Sequence, residues 1–243
     1  MVCLSRFDIE QIAQRVLRAY IANCTPHELP VCIEPEKLVT DLLGLYMEDH
    51  VLSTDGHILG LTAFSSVGVS IFDTDESASF YELDGKTILI DSRLYDDQTK
   101  AGRLNFTVMH EASHQILHML YPEEYGVYNR NAVPIYYSVN TDKMIRPPIR
   151  NWGEWQANVL ASALLLPEFV IRNGMQQLGM GDRMEILNPL YRKKDFAKFV
   201  ELANYLGASR KALAIRMKLL GLLKEDYLDR PKSMLDIFCE GEI

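Results

Sequence analysis

Residues 105–118 read NFTVMHEASHQILH and contain the most informative motif of the chain. Its apolar residues recur every three or four positions, which predicts a helix over Arg103–Leu120. Within this helix, His110, Glu111 and His114 form the pattern H-E-x-x-H. Four residues turn an α-helix by ~400°, so two imidazoles at this spacing project from one face, about 40° apart. The pattern therefore predicts that two histidines hold one metal ion.

Zinc suits this pair of histidines. It accepts imidazole nitrogens at ~2.0–2.1 Å and, in catalytic sites, keeps one position for water beside three protein ligands. Glu111 directly follows His110 and would act as general base on that water, whose pKa the metal lowers towards ~7. The alternative is a set of structural histidines, since three of the six histidines in the chain fall within residues 110–118. We favour zinc because the other helix positions are apolar, so the imidazoles would face a dry interior.

The third ligand is expected from another helix. His118 lies eight residues after His110, ~80° around the helix, so packing or a supporting contact is its expected role. Glu154 opens a helix predicted over Trp152–Leu166 and is our choice of third ligand, although the helix dipole alone also favours a carboxylate there. Glu154 and Asn158 resemble the E-x-x-x-D pattern of glutamate zincins, in which the second residue accepts the free ring N–H of a ligand histidine.

The segment before this helix predicts a mixture of helices and strands. An amphipathic helix is expected over Asp8–Asn23, with the first residue as N-cap, and a second, short helix over Glu36–Leu43. Between Leu45 and Ile90, short β-branched stretches separated by turns predict three or four strands of one small sheet. The Asp84-Gly85 turn indicates that the last two strands are antiparallel neighbours.

A connection over residues 121–150 separates the two predicted site helices. With about 30 residues it is long for a compact domain, where most connections have ~4–6, so we expect an active-site loop or lid. Tyr136 and Tyr137 in this connection could donate a hydrogen bond to an oxyanion, although tyrosines in loops more often pack. An extended peptide could bind by adding a strand to the edge of the sheet.

The C-terminal segment carries basic charge on two predicted helices, Asp195–Leu206 and Ser209–Leu220, which meet at a glycine turn. The whole chain has a net charge of −8, yet residues 191–218 carry a local charge of +6. Such a basic patch is typical of contact with nucleic-acid phosphates. The alternatives are a helix face that only contacts solvent and a surface that binds an acidic partner. The basic residues are Arg192, Lys193, Lys194, Lys198, Arg210, Lys211, Arg216 and Lys218.

Composition and charge exclude several classes of protein. The apolar fraction of 48% and charged fraction of 24% exclude wholesale disorder, collagen-like repeats and coiled coil. The net charge of −8 argues against a chain that coats nucleic acid or anionic membranes through its overall field. The four cysteines are too scattered for a disulfide scaffold. Without a signal-peptide pattern or an apolar run near ~20 residues, we expect a cytoplasmic chain that makes no membrane contact.

Two motifs together resemble one family. His110–His118, preceded by Asn105-Phe-Thr-Val-Met, and Glu154–Pro167 look like the ImmA/IrrE metallopeptidases, and residues 206–222 are similar to the segment after their peptidase core. The resemblance covers about residues 8 to 222. It implies a zinc-dependent endopeptidase that inactivates a transcriptional repressor, typically the helix-turn-helix regulator of a mobile element or a stress regulon. The spacing from His114 to Glu154 is longer than is usual in the family. This departure bears on the lid and on substrate specificity, and not on the metal ligands.

The predicted architecture is α+β, with a zincin-like metallopeptidase domain over residues 1–190 and a helical, helix-turn-helix-like segment over 191–243. The predicted function is zinc-dependent hydrolysis of a peptide bond in a protein substrate, for which a helix-turn-helix repressor is expected. A peptidase with auxiliary DNA contact through residues 191–218 ranks second. Glu111 is the predicted catalytic residue, and the predicted zinc ligands are His110, His114 and Glu154. The alternative is a DNA-binding or sensory regulator with a non-catalytic metal site.

Overall fold

The computed structural model describes residues 3–26, 28–73, 77–96, 100–125, 135–139, 152–233 and 236. The chain forms two compact units, Met1–Leu29 with Glu34–Leu165, and Pro30–Ile33 with Leu166–Ile243. Five short strands follow one another after the first helices, and the rest of the described chain is mainly helical, so the predicted α+β class is confirmed.

The helices of the first unit are arranged around the one that carries the H-E-x-x-H pattern. They are α1 (Arg6–Cys24), α2 (Pro35–Lys37, continued by a π-helical turn over Leu38–Leu42), α3 (Ala101–Leu120), α4 (Pro122–Tyr125) and α5 (Trp152–Leu165). Helix α3 packs against α5, and α5 packs against α1. The two predicted site helices are confirmed to within two residues at each end. No helix in the described part of the chain is both long and apolar enough to cross a membrane.

The start of α1 differs from the prediction. Its N-cap is Ser5 and not Asp8. The Ser5 hydroxyl accepts the backbone N–H of Asp8, and the Asp8 carboxylate accepts the N–H of Ser5. This reciprocal capping box satisfies two backbone donors at the helix start, which a single cap at Asp8 would leave exposed.

A four-stranded mixed sheet packs against α3. The strands of the first unit are β1 (Tyr46–His50), β2 (Ile58–Ala63), β3 (Val67–Phe72), β4 (Ala78–Leu83), β5 (Thr87–Asp91) and β6 (Ile135–Val139). The sheet has the order β1-β5-β2-β6, in which β5 runs parallel to β1, and β2 runs antiparallel to both of its neighbours. Strand β6 belongs to the connection predicted as a loop or lid, so part of that connection extends the sheet.

The prediction of one sheet is wrong, because β3 and β4 pair only with each other as an antiparallel ribbon among the described strands. The Asp84-Gly85 turn therefore joins strands of two different sheets and not antiparallel neighbours. The Asp84 carboxylate accepts the N–H groups of Lys86 and Thr87, and Gly85 has a φ of +82°. Such a turn reverses the chain locally, but the strand partners are set by packing. The ribbon and the sheet share a core of Leu52, Leu61, Ala63, Val69, Leu83 and Leu89.

The second unit contains α6 (Glu168–Gln177), β7 (Met184–Leu187), α7 (Lys193–Tyr205), α8 (Arg210–Leu219) and β8 (Leu223–Asp226). Helices α7 and α8 confirm the predicted C-terminal pair. Gly207, with a φ of +60°, follows α7, and the Ser209 hydroxyl caps α8 by accepting the N–H of Ala212.

The division between the units falls after Leu165, whereas the sequence predicts a domain boundary at residue 190. Strand β7 precedes residue 190, and β8 follows it, yet the two strands pair in parallel. Backbone hydrogen bonds therefore join both sides of the predicted boundary within one unit.

Candidate metal centre

Helices α3 and α5 together position the predicted metal ligands. Every residue from Thr107 to Leu117 of α3 is buried, because this helix contacts α5 and the strands β2, β5 and β6. His110 is 3% exposed and His114 is completely buried. Helix α5 supplies Glu154 from its first turn, and the side chain of Glu154 is 30% exposed.

The nitrogen and oxygen atoms of these three side chains converge. His110 Nε2 lies 3.1 Å from His114 Nε2 and 3.2 Å from Glu154 Oε2, and His114 Nε2 lies 3.3 Å from Glu154 Oε1. In a tetrahedral site with bonds of ~2.05 Å, ligand atoms lie ~3.3 Å apart. The observed separations match that spacing, so the three side chains could hold one metal ion.

The electrostatics of the three groups also suit a cation. Burial lowers the pKa of His114 to about 4, so its imidazole is neutral at pH 7 and has a lone pair to offer. Burial alone would lower the pKa of His110, but the hydrogen bond to Glu154 and the charges of Glu111 and Glu154 raise it overall. Burial opposes ionisation of Glu154, yet hydrogen bonds from both imidazoles hold its pKa well below the usual range. Glu154 is therefore anionic, and its charge favours a metal cation between these groups.

Glu111 is completely buried next to this group. It directly follows His110 on α3, and its negative charge is one of the causes that raise the pKa of His110. The side chain lies between α3 and Gly60 of β2. A carboxylate in this position can accept a proton from a molecule held at the metal centre.

His118 and Asn158 have different neighbours. The His118 ring stacks on Phe64, with centroids 3.9 Å apart and planes 8° apart, in agreement with its expected packing role. Asn158 Nδ2 donates to the Glu154 carbonyl at 2.8 Å, and the same side chain approaches His110 and helps to raise its pKa. Nδ1 of His110, however, makes no well-formed hydrogen bond to any residue that the structure describes. The predicted N–H bond to Asn158 is thus an approach and not a formed hydrogen bond.

Gln115 is a site residue that the sequence analysis missed. Its Nε2 donates to Thr62 Oγ1 at 2.7 Å and to the Ala63 carbonyl at 2.8 Å, which ties α3 to β2 directly after His114. A glutamine on a helix gives no signal of a partner so distant in sequence. Gly60 was also missed, although a lone glycine in a strand pattern can indicate close approach of another element. The side chains of Tyr136 and Tyr137 lie outside the described part of the structure.

The basic segment 191–218 does not present all of its charge to solvent. Arg216 is 2% exposed, and its Nε donates to the Leu166 carbonyl at 3.0 Å. Counting charges in sequence therefore overstates the positive surface of this segment, because one of its eight cations is buried. Other cations of the segment have partners within the unit. These partners are the Gly179 carbonyl for Lys198, Asp195 for Arg192 and Asp229 for Lys211.

Comparison with known proteins adds no relative: no protein-family model matches the chain, and no curated protein sequence matches it. What the chain does is therefore inferred from its own residues and their geometry.

Proposed function

We propose that the chain is a zinc-dependent metallo-endopeptidase that hydrolyses a peptide bond of a protein substrate. The observation that carries the proposal is the convergence of His110, His114 and Glu154 at 3.1–3.3 Å, with the buried Glu111 beside them. Zinc is favoured over other divalent metals because two imidazoles and one carboxylate, with one position left for water, are typical of catalytic zinc sites.

Each residue of the centre has a distinct task in hydrolysis. When bound, zinc would polarise the scissile carbonyl and lower the pKa of a water molecule. Glu111 accepts the proton of the attacking water and passes it to the leaving amine. His114 and Glu154 offer a neutral imidazole and an anionic carboxylate as ligands, and His110 offers the second imidazole. Burial of α3 keeps bulk water away, so that these electrostatic interactions are stronger than in solvent.

The substrate that we propose is a helix-turn-helix repressor of a mobile element or a stress regulon, cleaved in the cytoplasm. Support comes from the resemblance of residues 110–118 and 154–167 to the ImmA/IrrE metallopeptidases, which also supports a zincin-like arrangement of the first unit. Among the described strands, β6 is the outermost one beside β2, and both strands contact α3. The edge of β6 offers a place for an extended segment of substrate to bind by strand addition.

A second candidate is a DNA-binding or sensory regulator with a non-catalytic metal site. The arrangement of α7, a glycine turn and α8 favours it, because α8 exposes Arg210, Lys211 and Lys218. A metal site that only senses or stabilises has no need of a proton acceptor such as Glu111. We therefore rank the peptidase first and a peptidase with auxiliary DNA contact second.

The substitution Glu111→Gln tests the peptidase directly. Zinc-loaded protein is incubated with candidate repressors from its own genome, and cleavage is mapped by mass spectrometry. We expect Glu111→Gln to keep its zinc and its fold but to retain less than about 1% of wild-type cleavage, because an amide cannot accept the proton. Glu36→Gln, at an exposed carboxylate of α2, is the matched control and should cleave normally. Full cleavage by Glu111→Gln would contradict the assignment.

A further inference from the structure

Gly60 is the point at which β2 comes closest to Glu111. It lies in an interior strand, where it pairs with Ile90 of β5 and Ser138 of β6. A Cβ atom on Gly60 would lie 2.7 Å from Thr107 Cγ2 and 3.0 Å from both Cγ and Oε1 of Glu111. These separations are shorter than favourable carbon contacts of ~3.5–4.0 Å, so a side chain at this position would displace a neighbour.

The backbone on either side of this contact is held in place. Strand β2 is paired on both edges, and Gln115 of α3 donates to Thr62 and to Ala63 of the same strand. Thr107 is 3% exposed and β-branched, so few rotamers are open to it. Glu111 has the longest and most flexible side chain at the contact. Its carboxylate is therefore the group that would move if position 60 carried a side chain.

We propose that Gly60 is a positioning residue for Glu111. The missing side chain at position 60 leaves the space that the Glu111 carboxylate occupies beside the metal centre. The inference rests on the proposed role of Glu111 as proton acceptor. In Gly60→Ala, the ligands on α3 and α5 keep their places, and the carboxylate rotates away from β2.

The test uses acetohydroxamic acid as a probe of the zinc-loaded full chain, so that no peptide substrate is needed. A hydroxamate binds zinc through its oxygens and donates a hydrogen bond to a nearby carboxylate. Because a hydrogen bond to a charged group contributes ~1.5–3 kcal/mol, its loss weakens binding about tenfold or more. We expect this loss in Gly60→Ala. In Glu111→Gln we expect a smaller loss, because the amide oxygen can still accept the hydrogen bond but carries no charge. The zinc content of both variants should be unchanged by elemental analysis.

The matched control is Gly68→Ala in β3. Gly68 is also a strand glycine, and its added Cβ would collide with the ring of Phe80. Phe80 is 78% exposed, so its ring can rotate into solvent. This variant controls for the general effect of replacing a strand glycine by alanine. Its hydroxamate affinity should equal that of the wild type.

Adding Thr107→Ser separates positioning from packing. It removes Cγ2, the atom closest to the new Cβ, and keeps the hydroxyl group. In Gly60→Ala/Thr107→Ser we expect the melting temperature to recover while the hydroxamate affinity stays low, because the contacts with Glu111 remain. If Gly60→Ala alone does not fold, this double variant carries the test.

Two results would overturn the proposal for Gly60. One is wild-type hydroxamate affinity in Gly60→Ala, and the other is full recovery of affinity on adding Thr107→Ser. In either case a weakened Glu111→Gln would leave the proposed function intact. If Glu111→Gln itself binds hydroxamate as tightly as the wild type, the role of Glu111 fails, and the positioning role of Gly60 fails with it.

Discussion

The substitution Gln115→Leu removes the hydrogen-bonded link between α3 and β2. Gln115 is 2% exposed, and both of its acceptors, Thr62 Oγ1 and the Ala63 carbonyl, belong to residues that are 0% exposed. Leucine has a similar size but donates no hydrogen bond. A hydrogen bond contributes ~1 kcal/mol net, and a buried acceptor that loses its donor costs ~1–3 kcal/mol. Since the Thr62 hydroxyl can reorient, we expect the free energy of unfolding to fall by about 2–4 kcal/mol.

Tryptophan fluorescence during a urea titration measures this loss in the relevant unit. The two tryptophans of the chain, Trp152 and Trp155, both lie in α5 of the first unit, which also contains Gln115. Gln14→Leu, at an exposed position of α1, is the control and should change the free energy by less than ~0.5 kcal/mol. If Gln115→Leu loses less than about 1 kcal/mol, the two hydrogen bonds do not hold the strand to the helix, and the reasoning is refuted.

Three further predictions concern the second unit and the surroundings of the metal. Arg216→Met leaves the buried Leu166 carbonyl without its donor, so the free energy of unfolding should fall by ~1–3 kcal/mol. Thermal unfolding followed by circular dichroism measures this loss, and an unchanged curve would contradict the burial of Arg216. Reversing Arg210 and Lys211 to Glu should leave the melting temperature nearly unchanged but slow repressor cleavage, with steep salt dependence only in the wild type. Equal cleavage rates of the wild type and the variant at low salt would show that these residues are merely exposed to solvent. Asn158→Ala should weaken zinc binding about 10–100-fold in competition with a chelator, whereas unchanged affinity would exclude a supporting role.

The site could be predicted because its signals are local or belong to helices. The spacing of His110 and His114 needs only helix geometry to place both imidazoles on one face, and the structure brings their Nε2 atoms to 3.1 Å. Glu154 could be predicted because Glu154 and Asn158 share a helix face and resemble the E-x-x-x-D pattern, and α5 packs directly on α3. Gly60 and Gln115 could not be predicted as site residues, because their partners are distant in sequence and neither residue type indicates a particular partner.

Strand pairing was not predictable for a similar reason. The Asp84-Gly85 turn is satisfied by local hydrogen bonds, whatever strands it joins. Which strand lies beside β5 depends on burial: all residues of β5 are buried, which suits an interior position between β1 and β2. The charge of residues 191–218 was overestimated because a sequence count cannot show that Arg216 is buried.

The zinc content of purified protein after dialysis tests the central claim most directly. Elemental analysis should find about one zinc per chain in the wild type and in His118→Ala, since His118 stacks on Phe64. It should find little zinc in His110→Ala and in Glu154→Ala, because each removes one of three converging ligands. Full zinc occupancy in either of these two variants, or none in the wild type, would contradict the account.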